Sequence, residues 1–169
     1  MYIVEIKDIP ALDKIEDVPL DDPIKVLKTC QQLQMLCEKE NGIGISAVQV
    51  GMPWKLFLVK GDGSCPFLPK DQYGYFVNCT YAATTEERVV SLEGCLSLRS
   101  PDGRVRSFQV ERSNYINING YRLTIDKKIS FTNFDIEVGV HQQGIVFQHE
   151  IDHQRGILIS DIGKELFVW

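Results

Sequence analysis

The sequence predicts an α+β fold: antiparallel strands packed around a central metal-binding helix, with another helix near the N-terminus. Three observations predict it. An apolar stripe at helical spacing runs from Ile24 to Cys37 behind an acidic start. Short strand-like runs, separated by turn residues, follow Pro53. A helical segment over residues 138–154 then carries two histidines four residues apart.

The bulk properties suit one ordinary globular domain over residues 1–169. A composition of 44% hydrophobic and 24% charged residues is typical of such a domain. The net charge of -5 and the scattered basic residues give no grip on a phosphate backbone, so no stable nucleic-acid partner is expected. The N-terminus, Met1-Tyr2-Ile3-Val4-Glu5, lacks the basic start and apolar run of a signal peptide, and no apolar stretch is long enough to span a membrane. Five cysteines at irregular spacing, with no tight CxxC, fit a reducing compartment better than a disulfide framework. A cytoplasmic location is the expectation.

Taken in order, residues 8–23 form an irregular acidic lead-in with Pro10, Pro19 and Pro23. Asp21-Asp22-Pro23 reads as a helix start, with an acidic cap and proline in the first turn. Val26, Leu27, Cys30, Leu33, Leu36 and Cys37 make the buried stripe, and Asn41-Gly42 is the stop signal. Residues Gly42 to Gly51 alternate glycine and small residues with branched aliphatics. No GxxxxGK[ST] or GxGxxG follows, so this is backbone approaching a ligand or another strand closely, rather than a phosphate loop. Strands are expected over 55–59, 75–79, 87–91 and 104–110, with a flexible loop over 61–73. Tyr115 to Ile125 reads as a hairpin turning at Asn119-Gly120. Val140, Ile145, Val146 and Phe147 would seat the last helix on the sheet.

The chemistry concentrates in Gln148-His149-Glu150-Ile151-Asp152-His153. With about 3.6 residues per turn, His149 and His153 share a helix face and can address one metal ion, with Glu150 beside whatever that ion activates. A catalytic site wants a third protein ligand and an open position. The 16 residues after His153 contain Asp161 and Glu165 but no histidine. Cys95, in Glu93-Gly94-Cys95-Leu96-Ser97, is the more attractive candidate, because a thiolate suits a soft-leaning ion. His141, the remaining histidine, reads as a surface or helix-start residue.

Three motifs now stand in order: Gly42-Ile43-Gly44-Ile45-Ser46-Ala47-Val48-Gln49, Glu93 to Ser97, and Gln148 to His153. Together they resemble the GxGxAAxQ, EGCLS and QHExDH signatures of peptide deformylases, over about residues 8 to 161. The first departs from the family only at Ser46, where alanine is usual. The resemblance implies that Cys95, His149 and His153 hold one divalent metal with water as the fourth ligand. Fe(II) is the family's usual ion, and zinc, nickel or cobalt can take its place. It implies hydrolysis of the formyl group from the N-terminal formylmethionine of new polypeptides, with formate released. Glu150 would be the general base, while the Gln49 amide and the Leu96 backbone N–H donate to the formyl oxygen. Gln49 can also be read as a structural amide tying the glycine-rich loop to the sheet. Ile43, Ile145 and Val146 would line the methionine pocket, and the backbone near Gly44 and after Cys95 would pair with the peptide as an added strand.

By the same resemblance Glu93 is expected to pair with Arg106; Asp152 falls on a different helical face from the two histidines and is expected to make a supporting hydrogen bond rather than ligate. The loop Leu98 to Gly103 departs from the family, which commonly has proline two residues after the serine of EGCLS. Arg99 stands at that place and is a candidate to face the peptide. The chain stops at Trp169, so the long C-terminal helix of many bacterial members is expected to be missing, as in short organellar and phage-encoded forms. A phage origin would make the location the host cytoplasm. A monomer acting on N-formylmethionyl peptides, with at most transient contact with the ribosome, is the expectation. The rival enzyme class is an HExxH zinc metallopeptidase, which would cleave internal peptide bonds with little dependence on Cys95. A closed structural metal site is the non-enzymatic rival, but it lacks a clear fourth ligand.

Overall fold

Asp22 caps the first helix by accepting a hydrogen bond from the Lys25 backbone N–H at 3.0 Å, and Pro23 occupies the first turn, where its missing N–H costs nothing. This helix, α1 (Pro23–Lys39), buries Val26, Cys30, Leu33, Leu36 and Cys37. It stops where Asn41 turns left-handed at φ 54° and the Gly42 N–H reaches back to the Cys37 carbonyl at 2.8 Å. The computed structural model describes residues 1–4 and 12–166, so residues 8–11 of the lead-in lie outside the described residues.

Eight strands follow: β1 (Gly44–Ser46), β2 (Leu56–Lys60), β3 (Tyr73–Ala83), β4 (Arg88–Arg99), β5 (Val105–Ser113), β6 (Tyr115–Ile125), β7 (Ile129–Gly139) and β8 (Gly163–Leu166). They form two antiparallel sheets, one in the order β1-β2-β3-β6-β7 and one in the order β4-β5-β8. The second long helix, α2 (Gly144–Gln154), precedes a short α3 (Ile159–Ile162). The α+β class stands, with α2 laid across β1, β2 and β3. Phe147 fastens it there, its ring 5.1 Å from that of Phe76 and 6.1 Å from that of Phe57. Burying such a ring is worth roughly 1.5–3 kcal/mol. Gln148 fastens the opposite side, accepting from the Ser113 N–H and donating to the Ser113 carbonyl, both at 3.0 Å.

Three local expectations are corrected. Asn119-Gly120 is not a hairpin turn; β6 runs straight through it and pairs with β7 along its whole length. The glycine is there because β3 bulges at Asn78 and Cys79, and a Cβ on Gly120 would lie 2.8 Å from the Cys79 Cα. The helix expected from residue 138 begins at Gly144. Before it come the end of β7 and a 3-10 turn (Val140–Gln142) that carries His141 at the surface. Gln143 interrupts at φ 64°, and its amide is held by the Lys60 carbonyl at 2.8 Å. Residues 61–73 are not a free loop either. Leu68 and Cys65 are buried in the core, and the Gly61 N–H bonds to the Gln72 carbonyl at 2.7 Å, so the segment folds back on itself.

Candidate active site

One turn of α2 puts the His149 and His153 rings on the same side, their centroids 4.9 Å apart. Cys95 reaches them because β4 leaves its ladder. Gly94 opposes Ser107 and Arg99 opposes Val105, so the four residues 95–98 face only Arg106 on β5. That bulge swings Cys95 towards α2, with Sγ 3.4 Å from His153 Nε2. One ligand atom from each of Cys95, His149 and His153 lies within 4.8 Å of the others.

Beneath these residues lies a buried polar network. Arg112, on β5 and 2% exposed, grips Glu93 through Nε at 2.7 Å and Nη2 at 2.8 Å. Its third nitrogen, Nη1, donates to Asp152 Oδ2 at 2.5 Å, and the Tyr81 hydroxyl donates to Asp152 Oδ1 at 2.9 Å. Glu93 Oε2 also meets His149 Nδ1 at 2.8 Å. The expected Glu93–Arg106 pair is therefore wrong. Arg106 sits nearer the edge and pairs with Glu165 on β8 at 2.5 Å. Arg106 and Arg112 share the face of β5 that carries Phe108 and Val110, and position along the strand separates them: Arg106 lies at the end that pairs with β8, beside Glu165, whereas Arg112 lies at the other end, where Asp152 of α2 is within reach. Asp152 makes the supporting contacts expected of it and is not among the converging donors. Arg112, Tyr81 and Ser91, whose hydroxyl bonds to Glu93, are the site residues that sequence reading missed. Strand parity could not have singled out Arg112, because Arg106 has the same parity on β5.

The electrostatics follow from this packing. Burial acts to raise Glu93, but Arg112, His149 and Ser91 outweigh it and hold the carboxyl at about 2. Burial would lower His149, yet Cys95 and Glu93 on its two sides hold its proton to about 10. Burial and the facing His149 charge push His153 well below the usual range, leaving it a neutral imidazole. A cation beside Cys95 would meet the demand that His149 meets with a proton. Glu93 occupies His149 Nδ1, which leaves Nε2 for a metal. Two imidazole nitrogens and one sulfur thus fit a divalent, borderline-soft ion.

Glu150 lies alongside, on the same turn of α2. It is 4% exposed, and its Oε2 has no hydrogen-bond partner among the described residues. Burial raises it to about 7. Its other oxygen lies against β1 so closely that a Cβ on Gly44 would sit 2.5 Å from it. Gln49 is oriented from both ends: Oε1 accepts from the Ser46 N–H at 2.9 Å, while Nε2 donates to Ser97 Oγ at 3.1 Å and to Cys95 Sγ at 3.6 Å. It ties the glycine-rich loop to β4 and turns its N–H₂ towards the cysteine. Leu96 belongs to the bulged stretch that has left β5.

All of this borders one cleft of about 390 Å³ between β1 and β4, each of which is the end strand of its sheet. Ile43, Gly44, Gln49, Leu96, Ile145, Val146, His149 and Glu150 line it, joined by Leu92 and Val105, which the sequence did not single out. A paired histidine face, a thiol, an unpartnered buried carboxylate and an oriented amide around one apolar cleft can activate water against a small polar carbonyl group.

Comparison with known proteins follows the same line. A sequence model described as polypeptide deformylase matches residues 2–166. The peptide deformylase of Flavobacterium psychrophilum is 30% identical over 164 residues, covering 90% of this chain and 77% of that protein. Among solved structures, a probable peptide deformylase from Synechococcus phage S-SSM7 is similar with TM-score 0.71 and 27% identity, covering 95% of this chain and 97% of that one. The peptide deformylase of Thermotoga maritima is similar with TM-score 0.69 and 25% identity, covering 96% and 97%.

Proposed function

This chain belongs to the polypeptide deformylase family, and from that membership we propose which of its residues carry the reaction. The enzyme is a metal-dependent hydrolase that removes the formyl group from the N-terminal formylmethionine of nascent polypeptides, releasing formate. The HExxH metallopeptidase reading is not favoured. Residues 1–169 act as one catalytic domain.

The observation that carries the assignment of residues is their convergence on one cleft between two strand edges. Cys95, His149 and His153 would hold the metal, Fe(II) by preference, with zinc, nickel or cobalt able to replace it. When bound, the ion supplies Lewis acidity that lowers the pKa of water and polarises the formyl carbonyl. Glu150 takes a proton from the attacking water as oxygen bonds to the formyl carbon. Negative charge then builds on the formyl oxygen, where the Gln49 N–H₂ and the Leu96 backbone N–H donate. Collapse breaks the C–N bond, and Glu150 passes its proton to the leaving amine. Ile43, Ile145 and Val146 take the methionine side chain, while Gly44 and the backbone after Cys95 pair with the peptide main chain.

The protein is proposed to act as a monomer. The five cysteines are free and buried, in keeping with a reducing cytoplasm, that of a host cell if the gene is carried by a phage. No helix among the described residues is long and apolar enough to cross a membrane. Contact with the ribosome would be transient, and no stable nucleic-acid partner is proposed.

The direct test is formate release from a formyl-Met peptide by protein loaded anaerobically with Fe(II). Absence of formate, with metal bound and the fold intact, would overturn the assignment. Two variants test the parts. Cys95→Ser should weaken metal affinity by more than about 100-fold, beyond what loss of a supporting partner costs; metal-to-protein ratios after dialysis against a chelator read this out. Gly44→Ala places a methyl where Glu150 Oε1 lies and should lower kcat about 100-fold at unchanged metal content. A Gly44→Ala enzyme with normal kcat would show that the carboxylate is not held against β1.

A further inference from the structure

One side chain outside the cleft lining joins the two walls of the cleft. On one wall, α1 ends at Glu40, whose N–H bonds to the Leu36 carbonyl at 3.0 Å just before the helix is shut off at Asn41 and Gly42. On the other, β4 ends at Arg99. The Arg99 guanidinium spans the gap: Nη2 meets Glu40 Oε2 at 2.7 Å, Nε donates to the Leu96 carbonyl at 3.2 Å, and Nη1 donates to the Gly103 carbonyl at 2.9 Å. Glu40 and Leu96 both line the cleft.

An isolated exposed ion pair contributes little, because two long side chains must be held still. Here both ends are rigid. Glu40 is the cap of a closed helix end, and Arg99 abuts a tight turn in which the Gly103 N–H bonds to the Ser100 carbonyl at 2.8 Å and the Ser100 N–H bonds to the Arg104 carbonyl at 2.9 Å. The planar fork reaches three acceptors at once, which a lysine could not match. All three arms are engaged within the chain, so the guanidinium is not presented to a peptide.

We propose that Arg99 is a positioning residue, clamping Glu40 so that the two walls stay at the separation an extended peptide needs to pair with β1 and β4 together. The proposal rests on the deformylase reading of the cleft. A different role for this arginine, direct contact with a peptide anion, predicts results of opposite sign.

The experiment compares Arg99→Gln, Glu40→Gln and the double variant on formyl-Met tripeptides, as free acids and as C-terminal amides. The clamp requires each single change to raise KM roughly five-fold on both peptides, with kcat held within about two-fold. It also requires the double variant to be no worse than Arg99→Gln alone, since that change already removes the contact with Glu40. Direct anion contact would confine the Arg99→Gln effect to the free acid, and Glu40→Gln would lower KM by releasing the guanidinium; either result overturns the clamp. Unchanged KM in the single variants overturns it too. Formate release by the unmodified enzyme is the control: if it is absent the deformylase reading fails, and if it is present with unchanged KM in the variants only the clamp fails.

Discussion

Glu150→Gln is expected to leave the fold and the metal in place while lowering kcat by about 10²–10⁴-fold, the usual worth of a positioned general base. The amide has the size of the carboxylate and still fits against Gly44, but it cannot take a proton from water or return one to the leaving amine. The structure also specifies the stability outcome. Glu150 is buried, Oε2 has no partner among the described residues, and burial raises its pKa to about 7, so the carboxylate is a local cost to the fold. Replacing it by a neutral amide should therefore leave the melting temperature unchanged or raise it. Steady-state kinetics, metal analysis and a thermal melt on one preparation check all three points. Full turnover would remove Glu150 from the mechanism, and a large fall in melting temperature would make it structural instead.

The second large effect is on stability. Arg112→Leu should cost about 3–5 kcal/mol in urea unfolding, because it strands two buried carboxylates, Glu93 and Asp152, without their shared cation. Metal affinity should fall with it, by about 10–100-fold, since Glu93 orients His149 through Nδ1. Arg106→Gln is the matched comparison. Its pair with Glu165 involves side chains 33% and 27% exposed, so about 1 kcal/mol or less is expected. If Arg106→Gln proves as damaging as Arg112→Leu, the buried role has been given to the wrong arginine.

Much of the site is legible without coordinates because its parts are local. His149 and His153 share a face through helix periodicity alone, and Asp22-Pro23 and Asn41-Gly42 bound α1 through capping chemistry that needs no distant partner. The glycine-rich run from Gly42 reads correctly as closely approached backbone, although only the structure identifies the Glu150 carboxylate as what approaches Gly44. Asn119-Gly120 shows the opposite case. It is a strong turn signal by composition, yet a bulge forty residues earlier turns it into a strand interior.

What the sequence alone determined, then, is the helix face that carries both histidines, the carboxylate beside it, the α+β class and the first helix with its ends. These follow from spacings within one element, which backbone geometry converts directly into positions in space. Tertiary structure alone decided that Arg112 rather than Arg106 neutralises Glu93 and that four residues of β4 leave their ladder to carry Cys95 to α2. It also decided that Arg99 reaches Glu40 at the end of α1. Each of these depends on which distant element lies beside a residue, and for Cys95 on a bulge as well. A shift of one residue in pairing moves a side chain to the other face, and no spacing along the chain records it.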